Sequence, residues 1–142
     1  MTLPFYLHCD APGDSLYQLQ DGRFQLIANG PIAPLMTGFE YVLAENALAD
    51  FLFVRGLDNV RFNPATIYRR STGDEYRTHQ QLIVGQRFDS DGLRDLALDG
   101  ERLLLMDDRY LFVSPELKRA LEGSQFDYLN FSEGISEFAA ST

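Results

Sequence analysis

Three adjacent residues near the start of the chain, His8, Cys9 and Asp10, carry side chains that can bind a metal ion. They belong to the segment from Pro4 to Asp10, whose alternating pattern predicts a β-strand. Successive side chains of a strand point to opposite faces, so His8 points away from the other two. Metal sites need ligands that converge on one ion. We therefore expect no metal ion and no other cofactor.

His79 is the only other histidine, and it could act as a general base. The sequence places no serine or cysteine beside it as a nucleophile to activate. The chain also lacks the glycine-rich phosphate loops, the G-x-S-x-G motif and the C-x-x-C motif. We interpret His79 as a solvated or core-packed residue and expect that the protein is not an enzyme.

Two acidic motifs resemble sites for hard cations. The run Asp89-Ser90-Asp91-Gly92 opens like a calcium loop, but its glycine comes two positions early, and Gly100 stands where the loop needs glutamate. The pair Asp107-Asp108 is typical of a turn before a strand. Neither motif predicts a calcium or magnesium site.

Both motifs belong to a longer acidic segment, in which only Arg94 and Arg102 oppose the negative charges. Its acidic residues are Asp89, Asp91, Asp95, Asp99, Glu101, Asp107 and Asp108. Such a patch suits the surface of a basic protein partner, and we predict that these residues bind one. A solvated face, or charges that protect an edge strand from aggregation, are the alternatives.

A basic stretch precedes the acidic one. Its arginines stand at positions 55, 61, 69, 70 and 77, with Phe62, Tyr68 and Tyr76 among them, as on some nucleic-acid surfaces. The formal charge of the whole chain is −9, from 21 acidic and 12 basic residues, and such a field repels nucleic acid and anionic membranes. We therefore interpret the stretch as a strand face with local ion pairs.

Composition also bears on where the protein works. No apolar run approaches the ~20 residues that span a membrane. The first residues, MTLPFYLHCD, lack the pattern of a signal peptide, and a single cysteine, Cys9, cannot form an internal disulfide. We expect a cytoplasmic protein with no membrane partner.

The segment from Arg109 to Glu133 predicts a strand, a helix and a second strand. Ser114 is suited to cap the helix, and Pro115 to occupy its first position. Leu117, Ala120 and Leu121 share one face, and we expect Gly123 to end the helix in the left-handed conformation.

A weaker copy of this unit occurs earlier in the chain. Residues 41–62 align with residues 110–131 if one slip is allowed in the helix; for example, Leu52 falls on Leu121 and Asp58 on Asp127. The match predicts an internal duplication. The alternative is that any two strand–helix–strand units match this well.

The rest of the chain supplies strands. We expect about seven strands and two helices, with residues 32–39 as a connector and with Pro64 interrupting a strand after Phe62. Runs of strands rather than strict alternation predict an α+β fold: a mainly antiparallel sheet with the helices packed on one face. Residues 1–142 should form one domain.

The runs FVSPELKRALE and FDYLNF, preceded by LALDGERLLLMDDRYL, resemble bacterial immunity proteins of polymorphic toxin systems. The chain is similar to the myxobacterial-type immunity family, whose C-terminal helix reads V-S-x-x-L-K-x-A-L; the matching residues are Val113, Ser114, Leu117, Lys118, Ala120 and Leu121. The segment from Tyr76 to Asp89 resembles the family's middle strand. The resemblance implies stoichiometric, non-enzymatic neutralisation of a cognate protein toxin. The alternative function is a small-ligand-binding or scaffold module without a toxin partner.

Overall fold

The computed structural model describes residues 2–10, 13, 15–28 and 30–135, and the side chains of residues 93–95 lie outside this description. The fold is α+β, with two helices and eleven strands in the described ranges, where about seven strands were predicted. The strands are β1 Phe5–Cys9, β2 Leu16–Gln18, β3 Phe24–Leu26, β4 Leu35–Gly38, β5 Tyr41–Glu45, β6 Val60–Arg69, β7 Asp74–Val84, β8 Arg87–Phe88, β9 Leu103–Met106, β10 Tyr110–Val113 and β11 Leu129–Glu133. The helices are α1 Asn46–Val54 and α2 Pro115–Glu122, and a short 3₁₀ helix covers Ser90–Asp95.

The strands form two sheets, so the prediction of one sheet was wrong. The first sheet has the order β11-β1-β10-β9-β8 and the second the order β2-β3-β6-β7-β5-β4. The pairs β3–β6 and β8–β9 are parallel, and the other pairs are antiparallel. Strand pairing between distant parts of the chain decides this division, and local pattern does not report it.

The main core contains apolar side chains from both sheets and both helices. Leu103 and Leu105 of β9 enter this core, whereas Leu104 and Met106 belong to a second cluster with Phe112. Leu96 and Leu98 pack against that second cluster. Alternation along β9 thus buries both faces of the first sheet, and the acidic segment contributes the apolar residues that cover one of them.

Helix α2 begins at Pro115 and buries Leu117 and Leu121, as predicted. Two details differ from expectation. Ser114 occupies the N-cap position, but its side chain makes no hydrogen bond to the helix. Gly123 has φ −83° and so does not adopt the left-handed conformation. In the described part of the chain, no helix is long and apolar enough to cross a membrane.

Three strand predictions need correction. The expected connector contains β4, which pairs with β5 through a tight hairpin. Strand β6 continues through Pro64, which is tolerated because β3 pairs only with Ile67 and Tyr68 and leaves that side of the strand open. The apolar run Leu82-Ile83-Val84 predicts a strand from His79 to Phe88, but strand β7 begins five residues earlier, at Asp74, and ends at Val84.

The two predicted strand–helix–strand segments occupy corresponding places in the two sheets. Each follows a hairpin, β4–β5 before α1 and β9–β10 before α2. The order β6-β7-β5-β4 in the second sheet corresponds to β11-β1-β10-β9 in the first. In both, the strand inserted between the hairpin and the last strand runs antiparallel to its two neighbours.

Candidate protein-binding surface

His79 is buried in β7, and both nitrogens of its ring have partners. Its Nε2 lies 2.7 Å from the carbonyl oxygen of Ala33, and its Nδ1 lies 2.9 Å from the hydroxyl oxygen of Thr78. A carbonyl oxygen only accepts, so Nε2 carries the proton and Nδ1 accepts from Thr78. Burial lowers the pKa of His79, against the opposing effects of the Ala33 carbonyl and Glu45. These contacts describe a core-packed neutral histidine, one of the two predicted alternatives.

His8, Cys9 and Asp10 do not form a common site. Cys9 is buried in the main core, while the ring of His8 stacks on Tyr6 with 5.0 Å between centroids. Asn130 donates a hydrogen bond to the carboxylate of Asp10. Among the residues that the structure describes, no group of three or more His, Cys, Asp or Glu side chains is arranged to hold a metal ion.

The acidic residues of the predicted patch separate into two groups, at opposite ends of β9. Asp99 and Glu101 precede this strand. Asp99 interacts with Arg102 at 3.3 Å, and Glu101 makes a two-pronged ion pair with Arg55 at the end of α1, with one Nε–Oε1 distance of 2.8 Å. The sequence did not reveal that Arg55 neutralises Glu101, because the two residues are 46 positions apart. The side chain of Asp95 lies outside the described part.

The second group follows β8 and β9. Asp89 accepts the backbone N–H groups of Asp91 and Gly92, so its carboxylate is occupied in capping the 3₁₀ helix. Asp107 and Asp108 form the β9–β10 turn, with φ values of 54° and 56°. The backbone N–H of Asp107 donates to the carbonyl of Phe88 at 3.1 Å, which places the turn next to Asp89.

This turn contacts the tip of the other hairpin. The backbone N–H of Glu40, in the β4–β5 turn, donates to the carbonyl of Asp108 at 2.8 Å. Phe39 stands beside it with 65% of its surface exposed, and Arg87 binds the carboxylate of Asp108 at 2.6 Å. We call residues 39–40, 89–91 and 107–109 the hairpin surface. It combines an exposed aromatic ring with carboxylates held on tight turns.

A groove of about 520 Å³ adjoins the hairpin surface. One wall is β2 with Ser15, and the other is the β4–β5 hairpin with Arg109. Both walls are edges of the second sheet, whose outermost strands are β2 and β4. The hydroxyl of Tyr41 bridges them by accepting the backbone N–H of Leu16 at 3.1 Å. We call this space the edge groove.

The arginine-rich stretch contains one ion pair between near neighbours, as the sequence interpretation proposed, and further contacts to distant residues. Arg55 is paired with Glu101, and Arg77 lies 3.5 Å from Glu75. Arg69 donates to the carbonyl of Gly30 at 3.2 Å. Arg23, which the sequence interpretation left out, also binds Glu75 and lies over the ring of Tyr68. These contacts give partners to three of the five arginines of the stretch, and to Arg23 outside it.

Sequence reasoning missed the edge groove and the exposed rings of Tyr17 and Phe39. The groove exists because β4 is a strand, and the connector prediction for residues 32–39 concealed it. The pattern Gly38-Phe39-Glu40-Tyr41 between apolar runs was the available signal for a hairpin tip. Comparisons with family models, with curated proteins and with solved structures found no match to this chain.

Proposed function

We propose that this protein binds another protein through the hairpin surface, and that the partner is a toxin which it neutralises by stoichiometric occlusion. The neutralisation makes and breaks no covalent bond, and it takes place in the bacterial cytoplasm. The observation that carries the binding proposal is the contact between the two hairpin tips at Glu40 and Asp108. The identity of the partner as a toxin rests on the resemblance of residues 41–133 to immunity proteins.

The hairpin surface has the composition of an interface centre with a charged rim. Stable interfaces bury ~1,200–2,000 Å² and draw most of their affinity from a few aromatic or arginine anchors. Phe39 offers such an anchor, and Asp91 and Asp107 add exposed negative charges to the same surface. Together with the chain's charge of −9, these residues favour a basic partner and accelerate its approach.

The short hairpin turns, two residues between β4 and β5 and three residues between β9 and β10, also make the surface rigid. Asp108 is held by the backbone N–H of Glu40 and by the guanidinium of Arg87. A surface that is ordered before binding loses little conformational entropy when the partner docks. We place the second acidic group, Asp99 and Glu101, outside this interface, because it lies at the opposite end of β9.

Two steps test the proposal. The first is affinity capture of partners from the native host, with mass spectrometry of the captured proteins. We expect a toxin whose expression stops growth, and co-expression of this protein should restore growth. A captured partner without toxicity would contradict neutralisation while leaving protein binding in place.

The second step measures association with the captured partner by surface plasmon resonance. The double variant Asp91→Lys with Asp107→Lys should associate roughly tenfold more slowly at low salt, and the difference should shrink in ~0.5 M salt. Asp99→Lys is the matched control, because this carboxylate is 85% exposed and lies at the other end of β9. Equal on-rates for the double variant and the wild type would remove the hairpin surface from the interface.

An ancestral duplication would explain the correspondence between the two sheets. Each unit would have consisted of a hairpin, a helix and a strand. The strand inserted between the hairpin and the last strand of each sheet, β7 or β1, would come from the other copy. The shared order of strands in the two sheets supports this origin. Sequences of diverged relatives would test it, because the two units should be more alike in chains closer to the ancestor.

A further inference from the structure

We propose that the edge groove is a pocket for one arginine side chain of the bound protein, which stacks on two exposed aromatic rings and pairs with Glu40. The inference rests on the proposed function, because the arginine belongs to the partner that docks on the hairpin surface. It adds a specific contact to that interface. Arginine combines a planar cation with five hydrogen-bond donors, and arginines are often among the few residues that dominate the affinity of an interface.

The floor of the groove is a direct contact between the two edges of the second sheet. A Cβ atom on Gly38 would collide with the ring of Tyr41, so this ring passes over the glycine. The Tyr41 hydroxyl then reaches the backbone N–H of Leu16 at 3.1 Å. A further strand would need about 9–10 Å between the edges. The groove can therefore accept a side chain, but no added strand.

Two exposed rings stand at the same end of this contact. The path from β2 to β4 through the sheet crosses four antiparallel pairings and one parallel pairing, so the two strands run in the same direction. Tyr17 follows Leu16, and Phe39 follows Gly38. Leu16 and Gly38 are buried, whereas the two aromatic residues are 64% and 65% exposed and line the groove. Both rings are thus available to a side chain that enters from solvent.

The carboxylate of Glu40 supplies a negative charge beside the rings, because Glu40 also lines the groove. Among the residues that the structure describes, no cation pairs with this carboxylate and no donor forms a hydrogen bond to it. The backbone of Glu40 has φ 67°, and its N–H donates to the carbonyl of Asp108 at 2.8 Å. This residue is thus held in place before the partner arrives, which lowers the entropic cost of an ion pair there.

Arg109 is the one cation that lines the groove among the described residues. Its guanidinium lies over the ring of Tyr110, 5.8 Å from the ring centre, and so already has a partner. Asp107, two positions earlier, offsets its charge, and the whole chain carries a formal charge of −9. The field around the groove is therefore negative, which favours a cation over a carboxylate as the ligand.

The groove suits arginine better than lysine or an apolar side chain. A guanidinium is planar and weakly hydrated, so it can stack on aromatic rings and bind a carboxylate at the same time. Lysine carries a compact and strongly hydrated charge, which gains less from two rings. An apolar side chain would leave the Glu40 carboxylate desolvated without a partner, which costs affinity. The volume of about 520 Å³ is large enough for the whole arginine side chain.

Titration of the full chain with capped amino acids tests the proposal before any partner is known. The probe is N-acetyl-arginine N-methylamide, and its lysine, leucine and glutamate analogues are the comparisons. We expect saturable binding of the arginine probe in the millimolar range. It should bind roughly threefold more tightly than the lysine probe and roughly tenfold more tightly than the other two. In NMR spectra, the amides of Tyr17, Phe39 and Glu40 should shift most.

Variants of the groove locate the binding on this chain, and all the replaced side chains are exposed. Glu40→Gln should weaken the arginine probe about fivefold, because it removes the charge that the guanidinium binds. Tyr17→Ser and Phe39→Ser should each weaken it about threefold. Arg109→Gln should strengthen it about twofold, because it removes a like charge. This opposite sign distinguishes a cation pocket from an anion pocket.

Two matched controls lie away from the groove. Glu116→Gln changes an exposed carboxylate on α2, and Phe53→Ser changes a 63% exposed ring on α1. Neither should alter the affinity of the arginine probe. With the captured partner, Glu40→Gln should raise the dissociation rate at least about threefold, whereas Glu116→Gln should leave it unchanged.

Five outcomes would overturn the arginine pocket. They are no saturable binding of the arginine probe, equal binding of the leucine probe, tighter binding of the glutamate probe that Arg109→Gln abolishes, an equal loss of affinity in Glu116→Gln, and self-association of the chain that Glu40→Gln abolishes. The third would make the groove an anion site. The last would mean that an arginine of a second copy fills it.

Charge reversal at Asp91 and Asp107 tests the proposed function separately. If those variants slow the captured partner while the arginine probe fails to bind, the hairpin surface stands and the arginine pocket does not. If the probe binds as expected while the charge-reversed variants associate at the wild-type rate, the pocket stands and the acidic hairpin surface does not.

Discussion

The hydroxyl of Ser114 accepts the backbone N–H of Arg102 at 2.8 Å and donates to the carbonyl of Gly100, also at 2.8 Å. Ser114 is completely buried at the N-cap position of α2, yet its side chain serves the segment before β9 rather than the helix. These two hydrogen bonds link the start of α2 to the segment that leads into β9. It also holds the end of the acidic segment against the core.

Replacing Ser114 with alanine should destabilise the fold by about 1–3 kcal/mol, because the change leaves buried backbone groups without partners. Chemical denaturation measures this loss. Hydrogen exchange separates the two roles of the residue: the amide of Arg102 should lose protection. The amide of Lys118, which donates to the carbonyl of Ser114, should keep it. Selective loss of protection in the first turn of α2 would instead indicate a capping role.

Leu121→Ala should cost ~2–5 kcal/mol, because this side chain is 1% exposed and joins α2 to the main core. Urea unfolding provides the measurement, with the same dependence of the unfolding free energy on urea concentration used for both proteins. Val54→Ala, on the exposed end of α1, is the control and should change the stability by less than ~0.5 kcal/mol. A loss below ~1 kcal/mol for Leu121→Ala would mean that the helix does not pack as described.

His79 should make the protein less stable in mild acid. Burial lowers the pKa of the folded state, so the unfolded chain binds a proton first as the pH falls. Stability should therefore decline below about pH 6.5, the ordinary value of histidine, with a slope of at most ~1.4 kcal/mol per pH unit until the folded-state pKa is reached. The readout is the difference between wild type and His79→Gln in denaturation at pH 7.5 and 5.5. A difference independent of pH would contradict the buried neutral ring.

Glu101→Gln should lower the stability by up to ~1 kcal/mol, because it removes the ion pair that connects the acidic segment to α1. Arg55→Gln should do the same, and the double variant should lose little more than either single one. Denaturation of all four proteins completes this cycle. Additive losses would show that the two side chains do not interact in solution. The partner's on-rate should change less with Glu101→Gln than with Asp107→Lys.

The local elements with strong patterns were predictable. Both helices, with Pro115 at the start of α2, follow from apolar spacing and turn residues. Aspartate tolerates positive φ, so the turn at Asp107 and Asp108 was also predictable from the sequence. The core position of Leu117 follows from helical period alone. These features depend on interactions within a few residues.

Other features depended on partners far along the chain. Strand β4 has little pattern of its own and is a strand because β5 pairs with it. The ion pair of Arg55 with Glu101 and the contact of Glu40 with Asp108 join residues 46 and 68 positions apart, by their numbers. No local propensity predicts these two contacts. The same holds for the division of the acidic segment into two groups.

The sequence by itself determined the α+β class, the two helices and the concentration of negative charge between residues 89 and 108. Periodicity, capping and charge count are properties of neighbouring residues, and they do not depend on how the helices and strands are arranged. Only the tertiary structure decided that the strands form two sheets, that the hairpin tips touch and that β2 and β4 face each other across an open groove. Those outcomes depend on which distant strand edges pair and which remain unpaired. Every residue except proline carries the same backbone donor and acceptor, so the sequence does not show which edges will pair.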